Sequence, residues 1–356
     1  MNITYLLGAG ASFNALPIVD KIPQELQNFA DEFKPVLNFD LVYNSHEEKN
    51  IVTSFLEKFN YNRDSKEFWT KSAEQFYNDI NWLNREAKNH TSIDTLAKKL
   101  FLRRDEKKLN KLKSILSCFF IFIQTKKNDN RYDSFFASIL EDLNNLPKNI
   151  KILSWNYDSQ LENAFSNFSN EPLNLCRNSL NLQSKGEFSL VDYNVDEFSI
   201  HKINGTTNIK SKHYKVKEII SDFKSDSDNL VETFLNTHNS VIGELYKPTL
   251  SFAWEAYNAG NKFFEILKKV VSKTDILIVI GYSFPFFNRN IDRDILDAMT
   301  NLKKVYVQDP NFSKDIIEKI KGLIPRHETN FEGIKVKNID FVEKSFVDQF
   351  YIPIEF

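Results

Sequence analysis

Ile3-Thr4-Tyr5-Leu6-Leu7-Gly8-Ala9-Gly10-Ala11-Ser12 decides the fold. A short, largely apolar run reads as a buried strand, and a tight turn of small residues follows it. Such a turn lets the backbone approach a pyrophosphate and can leave amide N–H groups free to bind it. The same pattern also serves as a strand-to-helix turn with no ligand. It is not the full dehydrogenase fingerprint: Phe13 stands where the third glycine belongs, and no acidic residue at the usual distance clearly ends a second strand.

Downstream the apolar period becomes helical. Leu26, Phe29, Ala30 and Phe33 fall at i, i+3, i+4 and i+7, and Ile51, Phe55, Leu56 and Phe59 repeat the idea. Pro35 closes the first helix, and further helices are predicted over 93–102, 109–124 and 134–146, the last stopped by Pro147. Residues 22–147 are thus expected to form a helical insertion subdomain. Strands are then expected at 151–155, 198–203, 275–281 and 304–308, with helices marked by Phe263, Leu267 and Val270, by Ile291 and Ile295, and by Ile316 and Ile320. Strands alternating with helices imply a parallel sheet covered on both faces. The expected class is therefore α/β: a Rossmann-like parallel sheet with helices on both faces, built from 1–21 plus 148–356, with the large helical insertion after its first strand. The polar stretch 210–228, including Ser211, Lys212, Ser225 and Ser227, reads as a solvated loop.

The 356 residues suffice for a full core, and 42% hydrophobic with 26% charged residues is ordinary for a globular chain. The 32 Phe and the many Asn read mainly as a base-composition bias of the source genome. A formal net charge of -2 with scattered Lys and Arg lacks the footprint of a nucleic-acid binder, so no direct nucleic-acid binding is expected. No signal-peptide pattern precedes Gly8, and the apolar run 115–123 is too short to span a bilayer. The expectation is a cytoplasmic protein without a membrane partner. Two cysteines, Cys118 and Cys176, cannot build a disulfide framework or a four-cysteine zinc site.

Three further turns sit at predicted strand ends. Ser154-Trp155-Asn156-Tyr157-Asp158 offers an amide that donates and accepts and a carboxylate that accepts from a ribose hydroxyl or a water, although Asn156 and Asp158 would equally cap a helix starting near Ser159. Gly281-Tyr282-Ser283-Phe284 and Gln308-Asp309-Pro310-Asn311 close the other two strands. In a doubly wound sheet these ends converge on one crevice.

The joint order of Gly-Ala-Gly-x-Ser, a helical insertion, Trp-Asn-Tyr-Asp, a histidine-bearing strand and Gly-Tyr-Ser-Phe resembles the bacterial sirtuin-like family, particularly its NAD-hydrolysing branch in phage-defence systems. The resemblance implies that Gly8, Ala9, Gly10 and Ser12 hold the pyrophosphate of NAD and that Asn156 and Asp158 face the nicotinamide ribose. It also implies Gly281 and Ser283 by the phosphates or adenosine ribose and Gln308 and Asp309 near the adenosine. The family's deacetylases carry a four-cysteine zinc module that this chain lacks, so NAD hydrolysis without a metal is the expectation. The alternatives are a non-catalytic NAD or ADP-ribose sensor and a protein deacylase. A defence effector of this kind would be held in check until a homo-oligomer or an infection-sensing partner activates it.

One departure concerns the base. The family places a histidine directly before a glycine, where this chain has Asn204-Gly205, and His201 stands three residues earlier. Asn204 is then a ligand-binding residue and His201 the candidate base, or else an ordinary strand residue. On a regular strand the two face opposite ways, whereas a bulge or the turn at Gly205 would bring them to one side.

Overall fold

A computed structural model describes residues 1–17, 21–35, 50–143, 145–187, 194–211, 213, 215–219, 227–255, 261–324, 327–330, 333–336 and 338–356. His46, Lys212 and Ser225 lie outside them. The strands in chain order are β1 (Ile3–Leu7), β2 (Ile150–Ser154), β3 (Leu182–Ser184), β4 (Ser199–Lys202), β5 (Ile209–Ser211), β6 (Val216–Lys217), β7 (Tyr246–Pro248), β8 (Ile276–Ile280), β9 (Lys304–Gln308), β10 (His327–Asn330), β11 (Gly333–Val336) and β12 (Asp340–Lys344).

The chain divides into two compact units. The first comprises 1–14, 128–206 and 251–356. Its seven-stranded sheet runs β12-β9-β8-β1-β2-β4-β3, parallel throughout. The fold is α/β and Rossmann-like. β1 and β8 are buried along their whole length, as expected of a sheet covered on both sides. On one face, Leu6, Leu153, Leu277 and Val305 pack against Phe263, Leu267, Ile291, Ile295, Ile316 and Ile320 of helices Lys262–Val271, Arg289–Ala298 and Ser313–Leu323. On the other, Tyr5, Ile152, Ile200 and Ile278 meet Tyr132, Phe135, Phe136, Leu161 and Phe165 of helices Asn130–Ile139 and Gln160–Ser169. Burying each such aliphatic or aromatic side chain contributes about 1.5–3 kcal/mol.

From β1 the chain builds β2, β3 and β4 on one side, then returns to build β8, β9 and β12 on the other. The strand order therefore reverses at β1. The carboxyl ends of β1 and β8 flank the point where open α/β sheets bind ligands.

The second unit, 15–127 and 207–250, is mainly helical. Helices Ile22–Glu32, Arg63–Lys88, Glu106–Lys126 and Ser227–Ile242 enclose Phe29, Phe33, Phe76, Phe119, Phe122 and Phe234, whose rings meet largely edge to face. The antiparallel sheet β6-β5-β7 belongs to it. The apolar run 115–123 lies buried within Glu106–Lys126. Among the described residues, no helix is long and apolar enough to cross a membrane.

The observed limits differ from the expected 22–147 in two ways. Helix Asn130–Ile139 belongs to the sheet unit, because Tyr132, Phe135, Phe136 and Ile139 bury into its core. It ends at Leu140, which turns extended at ψ 125°, well before Pro147. The helical unit instead recruits 207–250, so the stretch expected as loop contributes β5, β6 and the start of a helix.

Candidate functional site

β1 delivers Gly8 to Ser12 to the switch point. The turn is a short 3-10 helix over Ala9–Ser12, and β8 brings Gly281 against it. Gly281 has φ +59°, and a Cβ there would lie 2.3 Å from the Gly10 carbonyl carbon. A Cβ on Gly10 would meet Gly281 Cα at 2.7 Å. The glycines are thus explained by contact between two turns. Three amides of the first turn are already engaged: Gly8 N–H donates to Ile280 O at 3.0 Å and Gly10 N–H to Gly281 O at 2.9 Å across that contact, and Ala11 N–H to Gly8 O at 2.8 Å within the turn. Ser12 is equally occupied. Its hydroxyl donates to Asp158 Oδ2 at 2.8 Å and accepts from Tyr132 OH at 2.7 Å and Asn156 Nδ2 at 3.2 Å. Because the single Ser12 hydrogen goes to the carboxylate, the Tyr132 phenol is the donor between them, and burial and the Asp158 charge hold its pKa well above the usual value. A hydroxyl has one hydrogen and two lone pairs, so Ser12 has nothing left for a phosphate. The pyrophosphate contact expected of Ser12, Gly8 and Gly10 is replaced by internal bonds, and Ala9 is the exposed residue of the turn.

β2 carries the second turn. Asn156 Nδ2 donates to Gly8 O at 2.9 Å as well as to Ser12, which leaves its carboxamide oxygen as the remaining valence. Asp158 Oδ1 accepts at 3.1 Å from the N–H of Gln160, the first residue of the following helix, while the N-cap itself is Ser159. Its carboxylate still has acceptor capacity. Asn204, just beyond β4, donates through Nδ2 to Trp155 O at 3.0 Å, while its buried Oδ1 meets no donor. Ser12, Asn156, Asp158 and Asn204 are therefore brought together. What they offer is a set of acceptors.

Lys202, the last residue of β4, anchors this arrangement. Fully buried, it donates to the Asp158 carbonyl and pairs with Glu162 at 3.2 Å. Arg131, paired with Asp129, donates to Ala11 O at 2.8 Å and supports the first turn. Trp155 stacks on Tyr282 at 5.7 Å, and the Tyr282 hydroxyl donates to Asp292. Burial pushes that carboxyl well above the usual range against the hydrogen bonds from Tyr282 and Trp155. Tyr132, Lys202, Glu162 and Arg131 were not foreseen from sequence. The one visible signal was a lysine standing between Ile200 and Ile203 at the end of a buried strand.

His201 is a correction. It lies within β4, wholly buried, with Nε2 3.1 Å from Ser199 Oγ and its ring facing Phe263 in the sheet core. Burial, with Lys151 adding to it, lowers its pKa to about 3. β4 ends at Lys202, so His201 stays in the sheet core while Asn204 lies in the turn beyond the strand. Gln308 is also corrected: its Nε2 donates to Phe346 O at 2.8 Å and Gln349 O at 2.7 Å, and its Oε1 accepts from Tyr351 N–H at 2.9 Å. Asp309 Oδ1 accepts from the amides of Asn311 and Phe312 in the turn before the helix Ser313–Leu323. Both side chains organise the chain's own backbone. Ser283 is exposed beside a cleft of about 470 Å³ that also involves Phe286, Arg289 and Lys319.

The sequence matches no protein-family model and no curated protein. The site's geometry and chemistry therefore carry the functional reading.

Proposed function

We propose that the sheet unit binds NAD at the switch point and hydrolyses its nicotinamide–ribose bond, and that turnover depends on assembly or on a partner. The observation that carries this reading is the convergence of acceptors on the ends of β1, β2 and β4: the Asn156 and Asn204 carboxamide oxygens and the Asp158 carboxylate. Such a set suits the hydroxyls of a ribose, which donate, and suits phosphate oxygens poorly. The buried, donor-less Asn204 oxygen is the clearest fit, because leaving it unmatched costs about 1–3 kcal/mol.

Cleavage of an N-glycosidic bond passes through an oxocarbenium-like state. The bond's electron pair leaves with the nicotinamide nitrogen, a water attacks the anomeric carbon, and Asp158 accepts the water's proton. Asn156 and Asn204 hold the sugar while this occurs. His201 takes no part.

The buried position of His201 favours a second reading, a sensor that binds NAD or ADP-ribose without cleaving it. Purified protein incubated with NAD, with nicotinamide release followed across a range of protein concentrations, separates the two. Expected for the hydrolase are release that rises more than linearly with protein and loss of release in Asn156→Ala. Activity should persist within about threefold in His201→Leu, because a general base is worth about 10²-fold or more. Saturable NAD binding with no release at any concentration supports the sensor, and absence of NAD binding overturns both.

A further inference from the structure

The helical unit contains a groove of about 1010 Å³ that nothing above has used. Six cations line it, Arg103, Arg104, Lys107, Lys108, Lys111 and Lys247, against four carboxylates. Three of the cations are neutralised: Lys111 by Asp79 at 2.8 Å, Lys108 by Asp105 at 3.1 Å and Lys107 by Glu244 at 3.4 Å. Arg103, Arg104 and Lys247 form no ion pair among the described residues. They come from separate segments, the arginines from the turn between helices Ile93–Leu102 and Glu106–Lys126 and the lysine from β7.

The backbone at Arg104 adds an independent observation. Arg104 N–H donates to Phe101 O at 2.9 Å and Asp105 N–H to Leu100 O at 3.0 Å, which is the Schellman closure of a helix. The residue that completes it sits in the left-handed region, at φ 56° for Arg104. Glycine is the usual occupant of that position because a Cβ is disfavoured there. An exposed, unpaired arginine at a glycine position is backbone strain retained where local stability gains nothing from it.

We propose that this groove binds a soluble small molecule bearing phosphate groups, with Arg103, Arg104 and Lys247 as its charge partners. Guanidinium forks match phosphate oxygens, and the volume falls at the upper end for small-ligand sites. A nucleic-acid track would instead need cations spread along a surface. This site lies in the helical unit and is independent of the NAD reading.

The test is calorimetric titration of the full chain with inorganic tripolyphosphate and, separately, with a 20-nucleotide single-stranded DNA. Arg104→Gly relieves the strained backbone, so its Tm should equal or exceed that of the wild type while tripolyphosphate affinity falls about tenfold or more. Lys247→Gln should weaken binding likewise, and Lys88→Gln, an exposed cation outside the groove, should leave it unchanged. The proposal is overturned if the wild type shows no tripolyphosphate binding at millimolar concentration. It is equally overturned if Arg104→Gly and Lys247→Gln bind as the wild type does, or if the DNA binds and tripolyphosphate does not.

Discussion

Gly281 and Gly10 read identically in the sequence as phosphate-binding glycines, yet each admits the other's backbone. Gly10→Val is therefore a test of packing before it is a test of ligand binding. His201 teaches the same lesson with a measurable consequence. Its folded pKa of about 3 lies below the ordinary 6.5. As pH falls through 6.5 the unfolded chain takes up a proton that the folded chain refuses, so stability is lost progressively down to about pH 3, at a slope approaching 1.4 kcal/mol per pH unit. His201→Leu removes that proton from the unfolded state. It should cost about 1 kcal/mol at pH 7 through the lost Ser199 bond and flatten the decline between pH 6 and 4, read by urea denaturation at each pH. An unchanged slope would show that His201 titrates normally in the folded protein.

Among the elements, those legible in the sequence are the ones whose burial is complete. β1, β2, β8 and β9 are apolar runs ended by turn residues, and helices such as Lys262–Val271 show an unbroken apolar stripe. β12 was not anticipated, because it is an edge strand whose described side chains are only partly covered. Helix Arg63–Lys88 also escaped individual notice, since its buried stripe mixes Phe76, Ile80 and Leu83 with Ser72, Asp79 and Asn84. At the site, the polar turn residues could be nominated one by one, but Tyr132 and Lys202 reach their partners only through tertiary contact. Asp79 makes the point for the helical unit. It accepts from His238 at 3.0 Å, Lys111 at 2.8 Å and Gln75 at 2.7 Å, and His238 in turn meets Ser114 at 2.8 Å. Those hydrogen bonds outweigh burial and lower the Asp79 pKa to about 2, whereas burial lowers that of His238. Asp79→Ala strands a buried histidine and a lysine and should cost about 3–5 kcal/mol. Ser114→Ala removes one neutral partner and should cost only about 1 kcal/mol. Equal losses in chemical denaturation would mean that the carboxylate is not the centre of the network.

At the scale of the whole molecule, the helical unit is inserted twice into the sheet unit's sequence without interrupting that unit's core. Both hydrophobic clusters of the sheet unit draw only on 1–14, 128–206 and 251–356. Each excursion also leaves and returns at a junction closed within that unit: Asn14 Nδ2 donates to Asp129 Oδ1 at 3.3 Å, and Ser251 N–H donates to Asn204 O at 2.8 Å. Two short Gly/Ser linkers in place of 15–127 and 207–250 would therefore cost little loop entropy, since closure grows only as the logarithm of length. The remaining chain of about 200 residues is large enough to bury a self-sufficient core. Such a chain should unfold in one cooperative transition with native near-UV dichroism, keep NAD binding if the switch point holds the ligand alone, and lose tripolyphosphate binding together with the groove. A broad, non-cooperative transition with strong binding of a hydrophobic dye would mean that the sheet unit depends on the helical unit to fold.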